Sequence, residues 1–308
     1  MQRFDNKQTE ALLAVLDHGS FERAAQELRL TPSAVSQRVR ALEAQLGMPL
    51  VERTRPCRPT ASGRALLQYL RRSKLLAEEF ASTFADSEAF IHAPIATNHD
   101  SLETWLLPAL APVANAEKVL LQLSVDDQEF THQKLLDGSV VAAISSKDTP
   151  MKGCEAKPLG TVRYRLMASP DFQQRYFAAG LSHEALRAAP LIRYNHKDFL
   201  QHDFLHAFCH FNADASPQLT IPSTQAFYRA VELGLGYGMI LDVQQQQLQG
   251  ELLDLLPEAF VDVPLYWHYW KVQSPKMQRL NQALIHHASA YLLPLSAWCW
   301  VLMFTGRL

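Results

Sequence analysis

No two of the four cysteines, Cys57, Cys154, Cys209 and Cys299, form a C-x-x-C pair. Neither a zinc ribbon nor a disulfide framework is readable, and a reducing cytoplasm is the expected compartment. The chain also lacks the ~20 consecutive apolar residues that cross a bilayer. Its apolar stretch Tyr291 to Phe304 is fourteen residues long and is interrupted by Pro294 and Ser296, so residues 291–308 are expected to form a buried tail or subunit contact rather than a membrane anchor. The first nineteen residues lack the apolar core and small-residue cleavage site of a secretory signal and are expected to be mature structure. With 48% hydrophobic and 19% charged residues, disorder, collagen and a polytopic membrane protein are excluded. A chain of 308 residues exceeds what one ordinary core holds, which implies two or three domains.

The net charge of −2 hides a segregation. Residues 1–80 carry 13 Lys and Arg against 9 Asp and Glu, whereas the rest carries 16 against 22. Between Arg23 and Arg64 stand eight arginines and three acids, a local excess suited to phosphates. In the same region apolar residues follow helical spacing in three short blocks: Leu12, Leu13, Val15, Leu16; then Phe21, Ala24, Ala25, Leu28; then Ala34, Val35, Val39, Leu42, Leu46. Gly19-Ser20 breaks the first block and caps the second. Thr31-Pro32 starts the third helix, which Gly47 ends. That layout is a helix-turn-helix, whose recognition helix enters the major groove by its first turns. There Ser33, Ser36, Gln37, Arg38 and Arg40 are residue types that bond base edges or phosphates.

The stretch MPLVERTRPCRPT predicts a β-wing carrying Arg53, Arg55, Arg58 and Thr60 to the DNA backbone or minor groove. Thr60-x-x-Gly63 then opens a helix from Ala61 to about Ala85. In it Leu66, Leu70, Ser73, Ala77, Phe80 and Phe84 alternate spacings of four and three, a dimerisation seam; a helix packed on its own domain is the alternative.

These residues resemble the winged helix-turn-helix and linker helix of the LysR-type transcriptional regulators. Ala24-Ala25, Ser33-Ala34-Val35-Ser36, Leu42-Glu43, Gly47, Leu50, Arg53 and Thr60-x-x-Gly63 carry the likeness in one register over about forty residues. Beyond them NHDSLETWLLPALAPV, the strand ending in Val125-Asp126-Asp127, and LYWHYW are similar to the family's ArgP branch, also called the chromosome initiation inhibitor type. The likeness runs from residue 3 to about 290. Val51 stands where the family commonly has Phe, and residues 291–308 do not resemble the branch's charged tail. The resemblance implies an all-α winged helix-turn-helix on an α/β, two-lobed, periplasmic-binding-protein-like effector domain. It also implies double-stranded DNA as partner, lysine or arginine as effector, a homodimer or homotetramer, and an export gene for basic amino acids. RNA polymerase is the further partner expected of an activator, and neither cofactor nor catalytic residue is expected. The expected divisions are 1–60 for the winged helix, 61–89 for the linker and 90–290 for the effector domain. Lobe I takes about 90–161 and 264–290, and lobe II about 162–263.

After Phe90 the residues themselves alternate strand and helix: APIATN, SLETWLLPALAPV, VLLQLSV, FTHQKLLDG, VVAAISS, and then a second group from RYRLMAS to YGMILD before the return strand VPLYWHYWKV. Ligands of open α/β sheets sit beyond the carboxyl ends of strands, where helix amino termini expose N–H groups. That places Asn98, Asp100, Ser101, Asp126, Asp127, Ser145, Ser223 and Thr224 around one cleft. A helix start with Ser101 suits an α-carboxylate, and Asp100, Asp126 or Asp127 suits an amine or guanidinium. Each of these acids also suits a plain helix cap.

Three other signals are weaker. His202-Asp203-x-x-His206 with Cys209-His210 has metal-binding residue types but lacks a third ligand from another element, so no metal is expected. Gly234-x-Gly236-x-Gly238 follows a helix and precedes a strand, the reverse of a dinucleotide loop, and reads as a helix stop. The rival function is a helix-turn-helix fused to a catalytic α/β domain, with Cys154 or Cys209 as nucleophile; no base is paired to either in the sequence. Nonspecific chromosome packaging would want positive charge throughout.

Overall fold

The computed structural model describes residues 4–84, 90–125, 134–248 and 251–295; of Leu75, Glu78, Glu79 and 81–84 the backbone alone is described. The first unit is a trihelical bundle with a wing. Helix α1 (Asn6–His18) stops at Gly19, whose φ is +62°. Helix α2 (Phe21–Glu27) starts at Ser20, whose hydroxyl accepts the Glu22 and Arg23 amides. Helix α3 (Pro32–Leu46) starts at Thr31, which accepts Ala34 N–H, and stops at Gly47 with φ +71°. Side-chain caps of this kind contribute about 1 kcal/mol each. Leu12, Val15, Ala24, Val35, Val39 and Leu42 meet in a closed apolar core.

Strands β1 (Val51–Glu52) and β2 (Arg58–Pro59) pair antiparallel as the wing. Its start is fixed from α3: Glu43 Oε1 accepts the amides of Leu50 at 2.9 Å and Val51 at 3.3 Å. Helix α4 (Ala61–Phe84) begins under the cap of Thr60, whose Oγ1 accepts Gly63 N–H and donates to the Pro49 carbonyl. Gly63 is there because a Cβ would lie 1.9 Å from the Leu50 carbonyl oxygen. The Glu43, Thr60 and Gly63 of the motif therefore close one joint between α3, the wing and the linker.

The remainder has two lobes on shared strands. In lobe I, β3 (Ile91–Thr97) runs parallel to β4 (Val119–Val125) and β5 (Ala142–Ser145). Lobe II holds β9 (Gly238–Leu241) and β10 (Leu253–Asp254). Strands β6 (Cys154–Ala168) and β11 (Val261–Trp270) pair antiparallel from Cys154–Trp270 to Tyr164–Val261 and run through both lobes, giving the order β10-β6-β11-β5-β3-β4 with β9 also on β6. The expected lobe divisions fall inside this ladder, at the rungs Thr161–Pro264 and Val162–Val263, next to a bulge between Leu265 and Tyr266. A smaller parallel pair, β7 (Leu191–Arg193) and β8 (Gln218–Thr220), completes lobe II.

Each lobe has its own core, around Trp105, Trp267 and Leu280 in lobe I and around Phe172, Phe204 and Tyr237 in lobe II. Helix α5 (His99–Ser101), a π-helical turn (Leu102–Leu106) and helix α6 (Leu107–Ala116) form one continuous rod beside β3. Lobe II adds α7 (Pro170–Tyr176), α8 (His183–Ala188), α9 (Leu200–Cys209), α10 (Thr224–Glu232) and α11 (Asp242–Leu248). Helix α12 (Pro275–Ala288) returns to lobe I. Strand β6 begins nine residues before the stretch RYRLMAS: Lys157, Pro158 and Gly160 break its alternation, and cross-strand pairing with β11 overrides that local signal. Gly234, at φ +70°, ends α10 while the Leu235 amide reaches back to the Ala230 carbonyl, so the glycine triplet is indeed a helix stop.

Candidate functional site

The residues expected to read DNA lie on α3 and the wing. Val35, Val39 and Leu42 are buried, which turns the opposite face of α3 outward. Ser33, Gln37 and Arg40 are exposed, and Ser36 and Arg38 are half-buried. Arg53, Arg55 and Arg58 of the wing are exposed. The two surfaces are tied together: Arg53 Nη1 donates to Ser36 Oγ at 3.3 Å, and the guanidinium lies 5.0 Å from the centroid of the Phe21 ring. Thr60 is a joint residue, because its hydroxyl is committed to Gly63 and Pro49.

Along α4 the expected seam divides. Leu66 and Leu70 pack on the core of the winged helix. Farther on, Ala77 is exposed, and Leu76 and Phe80 are exposed large apolar residues. Phe84 lies in the helix, but its side chain is outside the described residues. Arg71 joins three parts of the chain: it pairs with Asp17 of α1 and, through Nη1 at 3.2 Å, with the carboxylate and carbonyl of Asp137 in lobe I.

Of the remaining residues, the structure brings Asp100 and Thr224 into direct contact between the lobes. Asn98 caps α5 by accepting Ser101 N–H at 2.7 Å. Asp100 bridges the lobes, with Oδ1 accepting from Thr224 Oγ1 and Oδ2 from Tyr164 OH, each at 2.6 Å. Ser223 caps α10, and Thr224 is its first residue. Ser101 is 1% exposed, and its Oγ has no partner among the described residues. Ser145, at the end of β5, is buried and accepts the Lys147 amide. Asp126 and Asp127 lie outside the described residues.

Several cleft residues were not readable from motif spacing. Tyr164 sits at the middle of β6 and is known as a cleft residue only once the crossing ladder is traced; burial and the neighbouring Asp100 push its hydroxyl well above the usual tyrosine value. Glu103, on the π-helical turn, accepts the Gln225 amide at 2.7 Å and so adds a negative charge at the first turn of α10. The rings of His99 and Tyr194 meet across the cleft at 5.5 Å. Gln247 donates to the Thr104 carbonyl and Gln244 to that of Thr224, further stitching lobe II to lobe I and to itself.

The chemistry of the rival catalytic function is poorly served here. Burial pushes the Cys154 thiol up to about 11 and raises that of Cys209. His183 meets the carbonyl of Cys209, at 2.9 Å, rather than its sulfur. The His202 and His206 rings stack at 6.4 Å, yet among the described residues no three His, Cys, Asp or Glu side chains gather as metal ligands. Among the described residues no helix is long and apolar enough to cross a membrane.

A winged helix-turn-helix joined by one long helix to a two-lobed α/β sensor defines a ligand-responsive, DNA-binding transcriptional regulator. Comparison with known proteins agrees: residues 6–64 match the bacterial regulatory helix-turn-helix protein, lysR family, and residues 94–289 match the LysR substrate binding domain. The chain belongs to the LysR family of transcriptional regulators and, within it, to the ArgP branch. It is 39% identical to the HTH-type transcriptional regulator ArgP of Vibrio vulnificus over 95% of this chain and 99% of that one. The crystal structure of ArgP from Mycobacterium tuberculosis matches with 33% identity and a TM-score of 0.80, covering 95% of this chain and all of that one. Full-length LysG from Corynebacterium glutamicum with bound effector Arg matches with 34% identity and a TM-score of 0.76, covering 94% of this chain and all of that one.

Proposed function

We propose that this regulator senses lysine or arginine in the interlobe cleft and controls a gene for basic amino acid export. The observation that carries the effector class is the pairing of Ser101 with Asp100. At the start of one helical rod stands a buried hydroxyl without a partner among the described residues, and next to it in the chain a carboxylate that bonds Thr224 and Tyr164. An amino acid's carboxylate suits the former and its ammonium the latter. Asp126 and Asp127 are the acids assigned to the side-chain cation, and the arginine in the LysG structure supports the same ligand class. An effector that binds the closed cleft better than the open one shifts the lobes toward closure. Isothermal titration with each amino acid tests this: one-site binding of either is expected, and no heat from both rejects the effector.

In the same proposal α3 lies in the major groove, with Ser33, Ser36, Gln37 and Arg40 at base edges, and Arg38, Arg53, Arg55 and Arg58 at phosphates. The exposed Leu76, Ala77 and Phe80 of α4 make a homodimer that sets two half-sites side by side, in a cytoplasmic protein that engages RNA polymerase. Footprinting on divergent intergenic DNA, with and without amino acid, tests operator and effector together. For Arg40→Ala a loss of about 1–3 kcal/mol is expected at the operator if it reads a base. A weakening equal on operator and random DNA assigns Arg40 to phosphate instead.

A further inference from the structure

We infer that residues 291–293 form a strap that braces the strands crossing between the lobes and so governs, from outside the cleft, how freely the lobes part. They open the apolar tail, a stretch that neither DNA reading nor the cleft employs. Helix α12 is rooted in lobe I, with Leu280, Leu284 and Ala288 in its core. Beyond its end the Tyr291 and Leu292 amides donate back to the Ala288 carbonyl, and Leu292, 6% exposed, joins the same core. One residue later the chain grips β6. Thr161 N–H donates to the Leu293 carbonyl at 2.8 Å, and Leu293 N–H donates to the Thr161 carbonyl at 3.0 Å.

The grip falls on the crossing itself. Thr161 faces Pro264 of β11 at the expected lobe division, and the next rung, Gly160–Leu265, borders the bulge. Because Thr161 turns both backbone groups to Leu293, the strap lies on the edge of β6 away from β11, the edge that β9 takes from Tyr164 to Met167 in lobe II. Gly160 shows how close the approach is: its φ is +143°, and a Cβ there would lie 2.7 Å from both Leu292 Cβ and the Leu293 carbonyl oxygen. A bulge is the point at which a paired strand bends and twists. A segment rooted in lobe I and hydrogen-bonded beside that point opposes the bending. The strap is seated while the lobes touch through Glu103 and Gln225, so it favours that arrangement, and unseating it lets the lobes part more often. This holds whichever ligand the cleft takes.

Amide hydrogen exchange in the full-length protein without amino acid tests the brace, with Gln225 as reporter because its N–H donates to Glu103 across the lobes. Leu293→Pro removes one of the two strap bonds and is expected to speed Gln225 exchange about threefold or more. Leu191, whose amide is bonded within lobe II to the Pro217 carbonyl, is expected to keep its rate. Leu293→Ala trims a side chain 41% exposed and spares both bonds, so Gln225 is expected to be unaffected. A lock supplies the converse. Thr161 and Leu293 form a hydrogen-bonded antiparallel pair, a geometry whose Cα separation of about 5.5 Å suits a disulfide. With Thr161→Cys and Leu293→Cys joined, Gln225 is expected to exchange about threefold or more slowly than in the same protein reduced. That comparison decides the matter should the proline loosen lobe II as a whole. The brace is overturned by an unchanged Gln225 rate in Leu293→Pro, by an equal acceleration in Leu293→Ala, or by equal rates in the joined and reduced forms.

Discussion

Thr224 and Asp100 join the two lobes directly, hydroxyl to carboxylate at 2.6 Å. Thr224→Val keeps the shape and deletes the donor. Hydrogen bonds to charged groups contribute about 1.5–3 kcal/mol, so amino acid binding is expected to weaken at least tenfold in calorimetry, because closure loses one of its contacts. Binding unchanged from the wild type would mean that closure does not draw on this bond.

Arg71 holds α1, α4 and lobe I at once, with its side chain 17% exposed. Arg71→Ala leaves Asp17 and Asp137 unpaired and frees lobe I from the linker. The amides of Ser139 and Val140, bonded in the loop that Arg71 grips, are expected to exchange hydrogen faster, and operator binding is expected to respond less to effector. Arg71→Lys is expected to restore little, because one ammonium cannot replace a fork that grips both acids. Exchange as slow as in the wild type would count against the tie.

Gly63 and Gly47 make a contrasting pair. Alanine at 63 drives a Cβ into the Leu50 carbonyl, backbone against backbone, and the loss is expected to exceed ~2 kcal/mol. Alanine at 47 meets open space and suffers from its positive φ, at a loss nearer ~1 kcal/mol. Thermal denaturation of the two variants should rank them in that order, with Gly63→Ala also losing DNA affinity.

His268 supplies a pH dependence. It is fully buried on β11, and burial holds its imidazole below the ordinary value near 6.5, with the Lys147 carbonyl at 2.7 Å opposing in part. The unfolded chain binds the proton more readily than the folded one. Stability is therefore complete above about pH 6.5 and declines as pH falls toward the lowered value. Denaturant midpoints between pH 7.5 and 5 are expected to fall for the wild type and to fall less for His268→Gln.

The amino-terminal unit was legible because its signals are local. Ser20, Thr31 and Gly47 cap and stop helices within a few residues, and Val35, Val39 and Leu42 repeat at helical spacing. The cleft was legible in part: Asn98, Ser101 and Ser223 sit at strand and helix ends, which sequence can mark. Tyr164 and Glu103 escaped because their roles depend on partners 64 and 122 residues away. The seam on α4 was legible as apolar spacing, but spacing does not say which apolar residues meet the chain's own core, as Leu66 and Leu70 do.

The crossing strands set the scale of any signal. Since β6 and β11 are paired from Cys154–Trp270 to Tyr164–Val261 with a single irregularity, the closure proposed above cannot proceed by swinging on a slack tether. It must be a torsion of two hydrogen-bonded strands, with compliance concentrated at the Leu265–Tyr266 bulge. In the proposed mechanism, what reaches the linker from an occupied cleft is thus a rotation of limited angle, delivered through lobe I to the helix that Arg71 and Arg72 hold against it.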